Sequence, residues 1–182
     1  MNDAQLFEFE SDFVASLRCV PMAVRFKLDA CGIKLTLRQW SRFTRGDRQD
    51  LLMAACEGPA EIEAYRAALV ALIALRAAEP ARALTEAPCG AWTDADRVPP
   101  AVVQQAHLVG LAPPSRAEWA RLTELQRFVL IKLTRDKHDN LNFAPAMIEF
   151  GISTDSGVWA PPVRTNVRGT QTDALPSSAS RL

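Results

Sequence analysis

The chain has 182 residues, 48% of them hydrophobic, and carries 21 lysines and arginines against 21 aspartates and glutamates. That length suits one domain with an ordinary core and no need of staples, and the balanced charge argues against a generally polyanionic partner. The longest apolar run, Ala67 to Leu75, is too short to cross a bilayer. The opening MNDAQLFEFESDF lacks a basic region leading into an apolar one, so a cytoplasmic protein with no membrane partner is expected.

Taken in chain order, Phe7 and Phe9 alternate with glutamates as a strand would, but too briefly to make a sheet. The next stretch, SLRCVPMAVRFKLDACGIKL from Ser16 to Leu35, reads as a short punctuated helix. Pro21 suits its first position and Gly32 its stop, with Ile33 making the hydrophobic contact that accompanies such a cap. On that helix Val24, Leu28 and Cys31 share one face, while Arg25 and Asp29 are spaced as an i,i+4 pair on another. Such a pair adds only about 0.2–0.5 kcal/mol on a surface. A face this mixed, with Phe26 and Met22 beside it, suits docking, because interface cores favour aromatic residues, methionine and arginine. The candidate partner-binding residues are Arg18, Cys19, Met22, Arg25, Phe26, Lys27, Asp29, Cys31 and Lys34.

Two later segments resemble each other. An offset of 79 residues places TLRQWSRFTRGDRQDLL, from Thr36, over SRAEWARLTELQRFVLI, from Ser115, with five identities in 17 positions. Thr36 with Gln39, and Ser115 with Glu118, have the spacing of capping boxes, and Thr44 and Thr123 are placed to cap a second helix in each copy. Each copy therefore encodes a short helix, a corner and a longer helix. Extended to the helix before each, the possible repeat spans 21–52 and 100–131. Trp40 and Trp119 are expected as core anchors. Arg48 and Arg127, eight residues after them, are expected as structural arginines whose stems pack on the corner while their heads meet a carboxylate or free carbonyls, with an anion clamp as the competing role.

Between the copies, Ala60 to Ala78 reads as a helix whose Ile62, Tyr65, Leu69, Leu72 and Ile73 form a buried stripe. Residues 80–99, with their prolines and Asp94-Ala95-Asp96, read as a linker, and the Ser-, Thr-, Pro- and Gly-rich stretch after Gly151 as a disordered tail. The expected architecture is all-α: one compact multi-helix domain over 1–151, built from two similar helical halves, then a tail over 152–182.

Chemistry-bearing patterns are sparse. Cys19, Cys31, Cys56 and Cys89 contain no CxxC, and His107 and His138 form no close pair. There is no glycine-rich phosphate cradle and no context for a nucleophile. Hence no catalytic residue, metal site or cofactor is expected, and the protein is read as a non-enzyme. Two alternatives stay open. One is a metal- or redox-binding protein using Cys19 and Cys31, joined by Cys56. The other is a DNA-binding helical regulator using the basic face of Lys34, Arg38, Arg42, Arg45 and Arg48, although the zero net charge makes nucleic acid the weaker partner.

FEFESDFVASLRCVPMAVRFKLDACGIKLTLRQW, from Phe7 to Trp40, resembles the opening of the bacterial nitrate reductase associated protein family, whose pattern is FxFExDFVxSLRCIPMxVRxKLDxCGIKLxLxxW; Val20 stands where that pattern has isoleucine. The segment from Trp119 to Gly151, WARLTELQRFVLIKLTRDKHDNLNFAPAMIEFG, is similar to the family's closing segment. The resemblance implies an accessory factor that supports maturation or activity of assimilatory nitrate reductase by contact with the reductase or an assembly intermediate. It supplies no catalytic residues. Because the resemblance implies a reductase that carries a molybdopterin and an iron-sulfur cluster, a less favoured alternative has Cys19 and Cys31 touching a cluster or its delivery system.

Overall fold

The structure, a computed structural model, describes residues 6–11, 16–85, 90–135 and 141–152. Among these residues the fold is all-α apart from one two-residue ladder. The helices are α1 (Met22–Ala30), α2 (Leu37–Arg42), α3 (Arg45–Met53), α4 (Pro59–Ala77), α5 (Pro100–Leu108), α6 (Arg116–Arg121), α7 (Glu124–Leu133) and α8 (Phe143–Glu149). Strands β1 (Ile33–Lys34) and β2 (Arg82–Ala83) pair antiparallel, with Ile33 opposite Ala83 and Lys34 opposite Arg82.

Local sequence explains the helix starts. Thr36, Thr44, Ser115 and Thr123 each accept from the amide three residues on, and the side chains of Gln39, Asp47, Glu118 and Gln126 return the bond. Both boxes and both threonine caps foreseen from spacing are formed, and the two caps are boxes as well. Pro21 is the N-cap of α1 rather than its first helical residue. Gly32, at φ +68°, carries the chain out of the helix in the left-handed region that an L side chain occupies only with strain.

The two corners match closely. In each, a six-residue helix ends two residues before a capping threonine, and an indole donates to a carbonyl of an earlier segment: Trp40 Nε1 to Leu17 O at 2.9 Å, Trp119 Nε1 to Asp94 O at 2.9 Å. Both tryptophans are fully buried. The arginine heads meet carbonyls. Arg48 donates to Trp40, Ser41 and Leu17, and Arg127 to Trp92 and Leu122. Helices α1 and α5, nine residues each, also have proline at the N-cap and a positive-φ glycine after the end, but at a spacing of 78 residues rather than the 79 of the corners. Beyond these units the halves differ: the first continues into the 19-residue α4, the second into the seven-residue α8.

Three other expectations change. Phe7 and Phe9 lie in and beside a 3-10 turn at Glu8–Glu10, not a strand; their rings stack at 5.4 Å and both meet Phe150 edge-on. Residues 80–99 are more than a linker, since β2 and a second 3-10 turn lie there and Trp92 is buried in the core. The expected tail from 153 onward is outside the described residues, while Ile152 is buried.

The buried residues form two clusters. One joins Leu17, Val24, Leu28, Trp40, Leu51, Tyr65, Leu69 and Ile73, so that α4 contributes most of its foreseen stripe. The other joins Phe7, Met22, Trp92, Val102, Trp119, Phe128, Phe143 and Met147. Helix α1 contributes to both, and Leu125 packs against both.

Glu10 fastens the start of α1. Pro21 has no side-chain acceptor to offer as a cap, and the buried Glu10 carboxylate accepts from Met22 N at 3.1 Å and Phe7 N at 3.4 Å. Burial pushes its carboxyl above the usual 4.5, winning over the opposing pull of the two amides. A carboxyl raised in the fold contributes stability that is fully present below the unfolded value and is lost as pH rises through the folded one. Glu10→Gln cannot ionise. The stability of the natural protein relative to this variant is therefore expected to fall as pH rises from about 4.5, read by urea midpoints across a pH series; a pH-independent difference would contradict the assignment. Trp40→Ala and Trp119→Ala are each expected to cost about 3–5 kcal/mol in the same measurement.

Candidate functional site

Helix α1 is the natural place to begin, because most of the candidate partner-binding residues lie on it or beside it. The exposed mixed face expected there is not what the structure has. Met22 and Cys31 are buried, and the Cys31 thiol donates to Leu28 O. Phe26 packs edge-on against Trp92 and Phe128, at 6.2 and 5.3 Å between ring centres. Lys27 donates to Leu52 O at 2.7 Å and Ala54 O at 2.6 Å, satisfying carbonyls at the end of α3, and burial lowers its ammonium pKa.

The i,i+4 pair is also replaced. Asp29 takes both its bonds from Lys132 Nζ of α7, at 3.1 and 2.9 Å, in a pair whose side chains are only 15% and 26% exposed. Arg25 turns the other way and donates Nε to Val20 O at 3.1 Å. Tertiary partners outcompete the surface pair because they lie in a drier setting, where each charge gains more. Lys132 escaped sequence reasoning altogether. Its signal was a lone lysine inside the apolar run VLIKL.

Arg18, Cys19 and Lys34 are exposed. The first two are presented by a strained turn: Leu17 is buried at φ +51°, and its carbonyl is gripped by Trp40 Nε1 and Arg48 Nη1. The left-handed backbone costs about 1–2 kcal/mol, and the two bonds offset it. Arg48 is thereby consumed by the corner, its guanidinium 5.5 Å from the Trp40 ring centre, and does not contribute to a basic face with Arg38, Arg42 and Arg45.

Between the Val20 turn, α1, β1 and α7 lies a cleft of about 340 Å³. Its walls include Val20, Leu28, Ile33, Leu35, Leu37 and Leu84; its charged groups are Arg25, Asp29, Lys34 and Lys132. Leu84 is brought in by its amide, which donates to Gly32 O at 2.9 Å. Since Asp29 is spent on Lys132, Arg25 and Lys34 are left without an ion-pair partner among the described residues. A second groove, about 490 Å³ between α3 and α4, has Leu51, Tyr65 and Leu72 in its floor and Asp47, Asp50 and Glu61 among its lining.

The cysteines separate by environment. Cys31 and Cys56 are buried and burial pushes both thiols up, Cys56 to about 11, which disfavours the thiolate that nucleophilic and metal chemistry needs. Cys19 is exposed; Cys89 lies outside the described residues. Among the described residues no three His, Cys, Asp or Glu side chains gather to hold a metal ion, and no helix is long and apolar enough to cross a membrane.

A family model described as conserved nitrate reductase-associated protein matches residues 6–150. No curated protein and no solved structure matches the chain.

Two outcomes test the geometry. A double-mutant cycle on Asp29→Asn and Lys132→Met is expected to give a coupling of about 1–2 kcal/mol by chemical denaturation, whereas a value near zero would mean that the pair does not tie α1 to α7. Of Cys19, Cys31 and Cys56, only Cys19 is expected to be alkylated by iodoacetamide in the folded protein, as peptide mass mapping would show.

Proposed function

We propose, from the premise that this chain belongs to the conserved nitrate reductase-associated protein family, that it acts as a non-enzymatic accessory factor supporting maturation or activity of the reductase by direct contact. The family's name indicates association with nitrate reductase. The family match over residues 6–150 carries this reading. In this reading the contact is made beside the start of α1. Arg18 and Cys19 stand on a turn fixed by the clamped Leu17 carbonyl, and Lys34 and the half-buried Arg25 lie at the neighbouring cleft. A pre-ordered turn loses little freedom on binding, which favours recognition. The buried Met22 and Cys31 and the half-buried Phe26, Lys27 and Asp29, whose contacts are internal, then serve by holding this surface in place rather than by touching a partner.

The experiment is genetic and biochemical together. Removing the gene is expected to lower nitrate reductase activity in extracts of cells grown on nitrate as sole nitrogen source, with activity restored by the natural chain. The variant Arg18→Glu with Lys34→Glu should fold normally, since exposed substitutions of this kind usually change stability by less than about 0.5 kcal/mol, and should restore less activity. Full reductase activity without the gene would remove the accessory reading. Full rescue by the double variant would move the contact elsewhere on the chain.

A further inference from the structure

The cleft at the α1–β1–α7 seam has a composition that a docking surface alone does not require. Its walls are aliphatic, and two cations, Arg25 and Lys34, enter it without an ion-pair partner among the described residues. Arg25 spends only Nε on Val20 O. That leaves the two terminal nitrogens of its guanidinium, the part of the fork that receives a planar carboxylate. Glu10 lies within electrostatic reach of Arg25, but its own bonds go to the amides of Met22 and Phe7. Lys132, the third cation, is neutralised by both oxygens of Asp29.

A second observation comes from the ladder. Lys34 sits directly opposite Arg82, so two like charges face each other across the pair of strands, and both residues are exposed. Like charges in that register are destabilising. An anion beside Lys34 would relieve the repulsion as well as pair with Arg25.

We infer that this cleft binds a carboxylate carried on a short apolar body, the carboxylate between Arg25 and Lys34 and the body against Leu28, Ile33, Leu35 and Leu84. The source is either a small free acid or an acidic residue with an apolar neighbour on a peptide. A bare inorganic oxyanion would satisfy the cations but leave the aliphatic walls uncovered, and the cleft, at about 340 Å³, is at the lower end of the range for small-molecule pockets. This inference concerns the purified chain and stands apart from the accessory reading, so either can fail without the other.

The test is titration of the isotopically labelled full chain at constant ionic strength, followed by amide and arginine side-chain NMR shifts. The probes are hexanoate, hexanamide, inorganic phosphate and the capped peptide acetyl-Leu-Leu-Glu-amide. Saturable shifts at Val20, Arg25, Lys34 and Leu84 with hexanoate or the peptide are expected, and the tighter of the two identifies the source. Hexanamide should bind at least tenfold more weakly than hexanoate, as should phosphate. Lys34→Gln, an exposed change that leaves the fold intact, should weaken binding severalfold, and Arg25→Gln at least tenfold. The inference is overturned if neither carboxylate gives saturable shifts at these residues, if hexanamide or phosphate binds as well as hexanoate, or if Lys34→Gln leaves affinity unchanged.

Discussion

One nine-residue helix, α1, has to serve two cores. It gives Met22 to the cluster that holds Trp119 and Phe128, and Ala23, Val24 and Leu28 to the cluster that holds Trp40 and Leu69. A helix this short is not stable alone, so its existence depends on what packs around it. Two sides are therefore committed, and the polar residues between them work as ties: Lys27 to the end of α3, Asp29 to α7, Arg25 through Nε to the preceding turn, with Glu10 supplying from outside the cap that Pro21 lacks. The mixed composition of the stretch follows from this position. A helix with one core has an apolar stripe and a free polar face; one between two cores keeps less of that face free.

The same economy governs the corners. Arg127 is only 6% exposed, yet it is held by the carbonyls of Trp92 and Leu122. A buried cation without a carboxylate is normally costly. Here Leu122 is the residue that ends α6, and carbonyls at a helix terminus both lack intrahelical partners and carry the negative end of the helix dipole. One guanidinium thus satisfies orphan acceptors while those acceptors satisfy it. Arg48 does the same at the end of α2, through Ser41 and Trp40, and in addition pins the strained Leu17. An anion clamp would need the arginine heads to be free, and the corners occupy them.

What the sequence made legible follows from how far each determinant reaches. Capping depends on residues three apart, and two boxes and two threonine caps could be seen from spacing alone. The α4 stripe depends on one period within one helix, and Tyr65, Leu69 and Ile73 are buried as it required. The alternation of Phe7 and Phe9 read as strand-like, but a 3-10 turn with both rings against Phe150 brings the two rings together instead. The failures lie where a choice among partners is made through space. Asp29 had Arg25 four residues away and took Lys132, 103 residues on. Trp92 stood among prolines and acids, and only the arrival of Phe26, Phe128 and Arg127 makes that segment part of the core. The candidate site suffered most, because exposure on α1 was inferred from a period that two-sided packing abolishes.

That same two-sided packing decides which charges near α1 are left without an ion-pair partner among the described residues. The carboxylates near α1, Glu10 and Asp29, are both drawn into internal bonds, and the cations that remain, Arg25 and Lys34, collect at the seam. Their cleft exists only while Lys132, from a helix of one cluster, stands against α1 and β1 beside the other. Anything that binds there favours the assembled seam over any state in which the two clusters part, by the ordinary linkage between ligand binding and the state that binds it. The charge balance of the whole chain, 21 against 21, hides this. Neutrality overall is compatible with a local cationic excess when the acids are spent on holding the fold together.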